Sequence, residues 1–178
     1  MYFSGMATDR LANLLGVTAL AAADRVREAV GAGLPHGGAA PAALVHLQAY
    51  PGISVEALRR VLGISQPATV RVLDRLAADG LVERGAGPDA RTRALCLTPA
   101  GEQAADRLLG ERAQSVRGML DALDADEQAR LEPLLAKLTS ALAGDRPQAL
   151  HVCRMCDRGA CTQEPGCPLD HTSDGAER

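Results

Sequence analysis

The segment from Ser54 to Thr98 has the strongest structural pattern in the chain, and its sequence is SVEALRRVLGISQPATVRVLDRLAADGLVERGAGPDARTRALCLT. Its first half contains two short amphipathic segments separated by Gly63, each preceded by a serine that can cap a helix. Pro67 lies in the first turn of the second segment, where a missing N–H costs nothing. Two short helices with a glycine in the intervening turn predict a helix-turn-helix.

The second half of this segment has the pattern of a β-hairpin. Leu81–Arg84 and Arg91–Leu97 are strand-like, and a turn-rich sequence, Gly85–Asp89, lies between them. A strand pair directly after a helix-turn-helix is a wing. Thr98, as a cap, and Pro99, at the first helical position, then begin another helix. We therefore predict a winged helix-turn-helix over residues 41–98.

Long helical patterns lie on both sides of this segment. Residues 9–30 have apolar side chains at three- and four-residue steps, whereas residues 1–8 are predicted to be disordered. After the wing, one helix extends to Leu120, and Asp124 with Glu127 forms a capping box for a last helix. Pro133 within that last helix predicts a kink or a shortening. The predicted fold class is mainly α with a small β wing, on a helical scaffold.

The charge pattern agrees with a nucleic-acid partner although the formal net charge is −3. From Ser54 to Leu97, seven arginines face five acidic residues, a balance of +2. From Asp121 to Asp145, two basic residues face six acidic ones, a balance of −4. A basic middle and an acidic helical end suit a protein that holds one face to DNA.

Other functional classes find little support in the composition. The chain has no apolar run long enough for a membrane span and no leader pattern, so we expect a cytoplasmic protein without a membrane partner. It has no Trp, one Phe and two Tyr, so few aromatic side chains are available to line a small-molecule pocket. No catalytic constellation and no Gly-rich phosphate loop is recognisable, so we do not expect an enzyme.

The second helix of the motif is the predicted DNA-reading element. Gln66 can bond an adenine edge, Arg71 can bond a guanine edge or a phosphate, and Val70 can pack on a thymine methyl. Ser65 and the first amides of the helix suit a phosphate. An ordinary solvated amphipathic helix would have a similar pattern. The predicted contact residues of this helix are Ser65, Gln66, Pro67, Val70, Arg71 and Arg75.

The wing adds three predicted contact residues. Arg91 and Arg93 lie beside a Gly-rich tip, and an exposed arginine there suits a narrow, electronegative minor groove. Asp89 lies two residues before Arg91 and can orient its guanidinium through a charge-assisted hydrogen bond. A solvated hairpin with incidental arginines is the alternative.

These linked motifs resemble the MarR family of bacterial regulators over residues 9–143. The resemblance implies a homodimer in which residues 9–40 and 99–143 form the dimerisation region. It also implies two recognition helices in successive major grooves of a pseudo-palindromic operator, with Arg91 at the wing tip and Asp89 as its partner. Repressors of this kind are commonly released by small phenolic ligands, by oxidation or by metals. The matching motifs are Ile64-Ser65-Gln66-Pro67-Ala68, Leu73-Asp74-Arg75-Leu76, Gly80-Leu81-Val82-Glu83-Arg84, Asp89-x-Arg91 and Leu97-Thr98-Pro99-Ala100-Gly101.

The C-terminal residues 144–178 form a separate cysteine-rich tail that lacks helical periodicity. Cys153, Cys156, Cys161 and Cys167 follow a Cys-x2-Cys-x4-Cys-x5-Cys pattern. Since the tail has no evident core of its own, we expect it to fold only on binding a ligand. Cys96 is separate, in a wing strand, and is expected to be a packed apolar residue.

Three functions remain open for the four tail cysteines. The first is a four-cysteine zinc site with one ion per chain, flanked by His151 and His171 as substitute ligands. The second is thiol redox sensing, since Arg154 and Arg158 would lower nearby thiol pKa values. The third is an iron–sulfur cluster, which the final Cys167-Pro168 pair also suits.

We conclude from the sequence that the chain is a sequence-specific DNA-binding regulator, most simply a homodimeric repressor that responds to a metal, to redox state or to a small-molecule effector. The alternative is a redox or electron-transfer protein, or a protein-docking module, whose winged helix contacts another protein. Strong, salt-dependent binding to promoter DNA would separate the two.

Overall fold

A computed structural model describes residues 3–32, 34, 37–86 and 93–170. It is mainly helical with one two-stranded antiparallel sheet, which confirms the predicted fold class. The elements in chain order are α1 (Phe3–Ala32), α2 (Ala40–Ala49), α3 (Val55–Leu62), α4 (Gln66–Ala78), β1 (Val82–Ala86), β2 (Arg93–Leu97), α5 (Pro99–Leu120), α6 (Ala125–Ser140), α7 (Arg146–Val152) and α8 (Arg158–Cys161).

The helix-turn-helix forms where the capping residues predict it. The Ser54 hydroxyl accepts a 3.1 Å hydrogen bond from the Ala57 amide at the start of α3. Gly63 ends α3 in the left-handed region at φ 66°, which glycine adopts without steric cost. Ser65 is the N-terminal cap of α4 by backbone position, but its side chain makes no capping hydrogen bond, contrary to the expectation for a serine there.

The wing is joined to the segment that precedes α3. Strands β1 and β2 pair from Val82 opposite Leu97 to Ala86 opposite Arg93. The Leu95 amide donates to the carbonyl of Ile53, and the Leu95 carbonyl accepts from the amide of Gly52. The wing is therefore held to the rest of the DNA-binding region by backbone hydrogen bonds as well as by packing.

One apolar core unites α2, α3, α4, β2 and α5. Helix α2 is central, since all its residues from Ala40 to Leu47 are buried. A fully buried leucine stabilises the fold by about 1.5–3 kcal/mol relative to an exposed one. The leucines at this centre that are almost completely shielded from solvent are Leu44, Leu47, Leu58, Leu73, Leu76, Leu95 and Leu108.

Two helices differ from the prediction. Helix α1 begins at Phe3, so the expected disorder of residues 1–8 is wrong for residues 3–8. Once a long helix is nucleated, each further residue adds a hydrogen bond at little cost. Helix α6 continues through Pro133 to Ser140, so it is not shortened there, because a proline removes one amide donor while the flanking turns keep theirs. The predicted kink stays a prediction.

The C-terminal residues 144–170, here named the cysteine module, are folded against the DNA-binding region. Helix α7 packs on α3. Ala149 and Leu169 are buried with Ala143 in a small cluster of their own. Asp145 and Asp157 cap the two short helices, each accepting a backbone amide hydrogen bond. The expectation that this segment lacks a core is therefore wrong.

The described residues include no helix with both the length and the apolar character needed to cross a bilayer.

Helix α5 begins at a close backbone contact with the end of α4. The Thr98 hydroxyl accepts from the Gly101 amide at 3.1 Å and donates to the Gly80 carbonyl at 2.6 Å. The Thr98 amide donates to the Leu81 carbonyl at 3.1 Å. A Cβ atom on Gly101 would lie 2.0 Å from that same carbonyl oxygen, so position 101 requires glycine for space.

Gly101→Ala is predicted to destabilise the protein by about 2 kcal/mol, because α5 must move away from Leu81 to admit the methyl group. Gly110→Ala in the same helix is the matched control, since a Cβ there meets no heavy atom within 4 Å. The control should be stabilised by about 0.5–1 kcal/mol. Denaturant unfolding followed by circular dichroism measures both. Equal effects of the two substitutions would show that the contact at residue 101 does not constrain the fold.

Candidate nucleic-acid interface and cysteine cluster

The outer face of α4 is solvent-exposed and polar. Gln66, Pro67, Arg71 and Arg75 are exposed on this helix, and Val70 is half-buried beside them. The opposite face is anchored in the core by Thr69, Leu73 and Leu76, which are fully buried. All the residues predicted on this helix therefore share one accessible face, with Ser65 exposed at its start.

The N-terminal end of α4 has free hydrogen-bonding capacity. The Ser65 carbonyl already accepts from the Thr69 amide and from its hydroxyl, while the Ser65 side chain makes no capping bond. The first amides of a helix have no partner within the helix, and here they belong to Gln66 and Ala68, since Pro67 has none. This end of α4 can therefore donate to an anion such as a phosphate.

Ion pairs remove several charges from the region but leave the recognition face positive. Arg84 of β1 pairs with Asp74 of α4 at 2.6 Å, and this contact also joins the wing to the helix. Glu56 binds Arg59 and Arg60, and the hydrogen bond from Arg59 lowers the pKa of Glu56 to about 2.

Within the described residues, Arg71 and Arg75 enter no ion pair. Both guanidinium groups of α4 are thus available to a nucleic-acid partner.

The wing residues predicted from sequence are only partly described. Asp89 and Arg91 lie outside the described residues. Arg93 begins β2 opposite Ala86, and its side chain is outside the description. Their roles therefore stay predictions.

Two helices at the other end of the molecule have exposed apolar faces. Five large apolar side chains of α1 are 44% to 69% exposed, namely Leu11, Leu14, Leu15, Val17 and Leu20. Four more in or just after α6 are 45% to 64% exposed, namely Leu134, Leu135, Leu138 and Leu142. Apolar faces of this extent mark interaction surfaces.

The fold brings the four tail cysteines (Cys153, Cys156, Cys161 and Cys167, the cysteine cluster) together. All four line one cavity of about 110 Å³, and each is a free, half-buried thiol. Neighbouring thiols act on one another's pKa in chain order, Cys153 with Cys156, Cys156 with Cys161 and Cys161 with Cys167, and the Leu169 amide acts on the pKa of Cys167. The fifth cysteine, Cys96, is half-buried in β2 and lies outside this cavity.

These mutual effects separate the four thiol pKa values. The interaction between the two side chains lowers the pKa of Cys153 and raises that of Cys156. Burial raises the pKa of Cys161 and of Cys167. The arginines that act on the thiols are Arg146, near Cys153, and Arg112, near Cys156, rather than the Arg154 and Arg158 expected from the sequence.

Tyr50, which follows α2, connects the cysteine module to the core. Its hydroxyl accepts hydrogen bonds from Arg158 and, at 3.4 Å, from Arg146. The Arg158 guanidinium carbon also lies 5.0 Å from the centre of the Tyr50 ring, a cation–π distance. The neighbouring His46 is buried, which with Arg146 lowers its pKa to about 4. Sequence reasoning used Tyr50 only as the end of a helix and missed this role.

A second connection joins the module to the first helix of the helix-turn-helix. His151 Nδ1 lies 2.8 Å from the Val61 carbonyl, and because a carbonyl only accepts, Nδ1 carries the proton. The last carbonyls of a helix have no partner within the helix, so His151 satisfies one at the end of α3. Gly63 leaves space for the imidazole, because a Cβ there would lie 2.9 Å from its Cε1 atom. His171, the other predicted substitute ligand, lies outside the described residues.

Comparison with known proteins agrees with this geometry. The sequence profile of the MarR family matches residues 37–92. Wild-type MarR from E. coli in its apo form is 28% identical, with a TM-score of 0.60 over 72% of this chain and 96% of that chain. A MarR family protein from Bacillus stearothermophilus has a TM-score of 0.67 at 23% identity, over 77% and 96% of the two chains. No curated protein matches the sequence.

The chain is similar in sequence and in fold to regulators of the MarR family. A cysteine-to-serine mutant of E. coli MarR complexed with operator DNA is 29% identical, with a TM-score of 0.53 over 72% of this chain and 93% of that one. The MarR family profile ends at residue 92, and more than a quarter of this chain lies outside the match to E. coli MarR. The profile therefore supports the helix-turn-helix and does not extend to the cysteine module.

His151→Ala is predicted to loosen α7 from α3, because the Val61 carbonyl loses its partner at a cost of about 1 kcal/mol. Hydrogen exchange should become faster in residues 146–152. Gln163→Ala, on an exposed residue of the same module, is the control and should leave exchange unchanged. Unaltered exchange in the His151 variant would mean that this contact does not hold the module in place.

Proposed function

We propose that this chain is a sequence-specific DNA-binding transcriptional regulator, a homodimeric repressor with α4 as its recognition helix. The main supporting observation is the exposed face of α4, where Gln66, Arg71 and Arg75 stand opposite a fully buried face. The operator complex of a relative that is 29% identical supports the same assignment.

The contacts of α4 with DNA would be of two kinds: contacts to phosphate that position the helix, and contacts to base edges that recognise the sequence. The free amides at the start of the helix and the Ser65 hydroxyl would hold a phosphate, which sets the register of the helix on DNA. Gln66 and Arg71 would then meet base edges in the major groove, with Val70 against a thymine methyl. The Arg84–Asp74 ion pair would keep the wing beside the helix, so that Arg91 and Arg93 enter the adjacent minor groove.

Dimerisation would cover the exposed apolar faces of α1 and α6. A two-fold axis through these faces would present two recognition helices, as a pseudo-palindromic operator requires with half-sites roughly 34 Å apart. The winged helices would lie away from the axis because their own apolar residues are already buried in the core around α2.

Such a dimer would repress by occupying promoter DNA in the cytoplasm. The mechanism requires binding and no chemical step, so no catalytic group is assigned. Release would follow from a signal that alters the spacing of the two recognition helices, and we expect such a signal to act at the cavity that the cysteine module forms with Tyr50 and His46.

Arg71→Ala is predicted to weaken binding to DNA from the protein's own promoter region by about 10- to 100-fold, equivalent to roughly 1–3 kcal/mol for a lost base or phosphate contact. The salt dependence of binding should become less steep if the lost contact is to phosphate. Fluorescence anisotropy at two salt concentrations measures both quantities.

Arg130→Ala is the control for that substitution, since it removes an exposed arginine from α6, away from the recognition face. Binding should then be unchanged. Equal affinity of the Arg71 variant and the wild type would overturn the assignment of α4 and favour a winged helix that contacts protein.

Leu138→Glu is predicted to raise the dimer dissociation constant at least about ten-fold, because each two-fold interface would bury the new carboxylate twice. Lys137→Glu places the same side chain on the preceding exposed position of α6, about 100° around the helix from Leu138, and should leave the dimer intact. Sedimentation equilibrium distinguishes the two variants. A wild-type monomer at micromolar concentration would contradict the proposal directly.

A further inference from the structure

We propose that the cysteine cluster binds one Zn²⁺ ion through four thiolates and that this ion fastens the cysteine module to α2 and α3. The proposal concerns a part of the chain that the MarR family profile does not reach. It does not depend on DNA binding, so either proposal can fail without the other.

The four thiols converge on one place in the fold. They come from a segment of fifteen residues and line the same cavity. Four thiolates around a tetrahedral zinc ion stand roughly 3.8 Å apart, as follows from a Zn–S bond of about 2.3 Å. The fifth cysteine of the chain, Cys96, takes no part in this arrangement.

The backbone amide of Leu169 is a hydrogen-bond partner of the Cys167 sulfur. A backbone amide that donates to a cysteine sulfur stabilises the thiolate form, and ligands of structural metal sites are commonly held by such outer contacts. Leu169 itself is 2% exposed and belongs to the small core with Ala149. The amide is therefore fixed in position by packing.

Arginine side chains near the four cysteines can compensate the negative charge of a zinc–thiolate site. Zinc with four thiolates carries a net charge of about −2, which is costly to bury without cations nearby. Arg146 acts on Cys153, Arg112 acts on Cys156, and Arg158 lies on the wall of the cavity. Asp170 lines the same cavity and adds one negative charge. The surroundings thus remain net positive.

Metal binding requires a small rearrangement. Among the described residues, no three potential ligands already stand in positions that could hold an ion. The four thiols must therefore lose their protons and turn toward the centre of the cavity. One Zn²⁺ replaces four thiol protons, which pass to solvent, and no sulfur is oxidised.

Zinc binding would stabilise the contact between the cysteine module and the helix-turn-helix. Met155, between the first two cysteines, packs against the main core, and His151 bonds the end of α3. An ion that fixes Cys153 and Cys156 would hold both contacts at once. Loss of the ion would free the module from the first helix of the motif.

The test compares three tag-free proteins purified in zinc-containing medium without chelator: the wild type, the double variant Cys156→Ser/Cys161→Ser, and the control Cys96→Ser. Elemental analysis should find one zinc per chain in the wild type and in the control, and at least about ten-fold less in the double variant. Zinc retained by the double variant would overturn the proposal.

A second measurement on the wild type does not depend on how the variants fold. With zinc bound, a thiol reagent should modify Cys96 alone under native conditions, and after chelation four further thiols should react and the unfolding temperature should fall. Wild-type protein that lacks zinc and takes up none would overturn the proposal in favour of a thiol switch. Iron with sulfide and a brown colour would overturn it in favour of an iron–sulfur cluster.

Discussion

The contact between Gly101 and the Leu81 carbonyl determines how the two halves of this molecule are joined. Helix α4 ends at Ala78, and α5 begins at Pro99 beside it. The two strands of the wing form the segment between these helices. Thr98 bonds to both Gly80 and Leu81, so the end of α4 and the start of α5 share one hydrogen-bonded corner. Any movement of α5 is therefore transmitted to α4 through the hydrogen bonds of Thr98 and the close contact at Gly101.

The cysteine module attaches to the opposite end of the helix-turn-helix. It contacts the end of α3 through His151 and the end of α2 through Tyr50, while the exposed apolar faces of α1 and α6 stay clear of it. Helix α4 is thus positioned from two sides, by α5 at its C-terminal end and by α3 before its N-terminal end. In the proposed dimer, a change in either attachment would alter the spacing of the two α4 helices, on which operator binding would depend.

Local patterns predicted the DNA-binding half well because its signals are short-range. Ser54, Gly63 and Thr98 cap or end helices through bonds to residues three or four positions away, and the structure places those bonds as expected. The departures from prediction lie elsewhere in the chain. Helix α6 is not shortened at Pro133, and residues 3–8 are helical. The tail has a core that no sequence periodicity predicts, because Ala143, Ala149 and Leu169 come from separate turns.

The amino-acid sequence was sufficient to predict the order of elements from α1 to α6, the resemblance to the MarR family and the exposed face of α4. It also showed four cysteines in one short run. Their convergence on one cavity, the bonding of Tyr50 to Arg158 over a separation of 108 residues, and the closeness of His151 to Val61 came from the folded chain. Contacts between residues so far apart depend on how helices pack around a shared core, and no local pattern encodes that geometry.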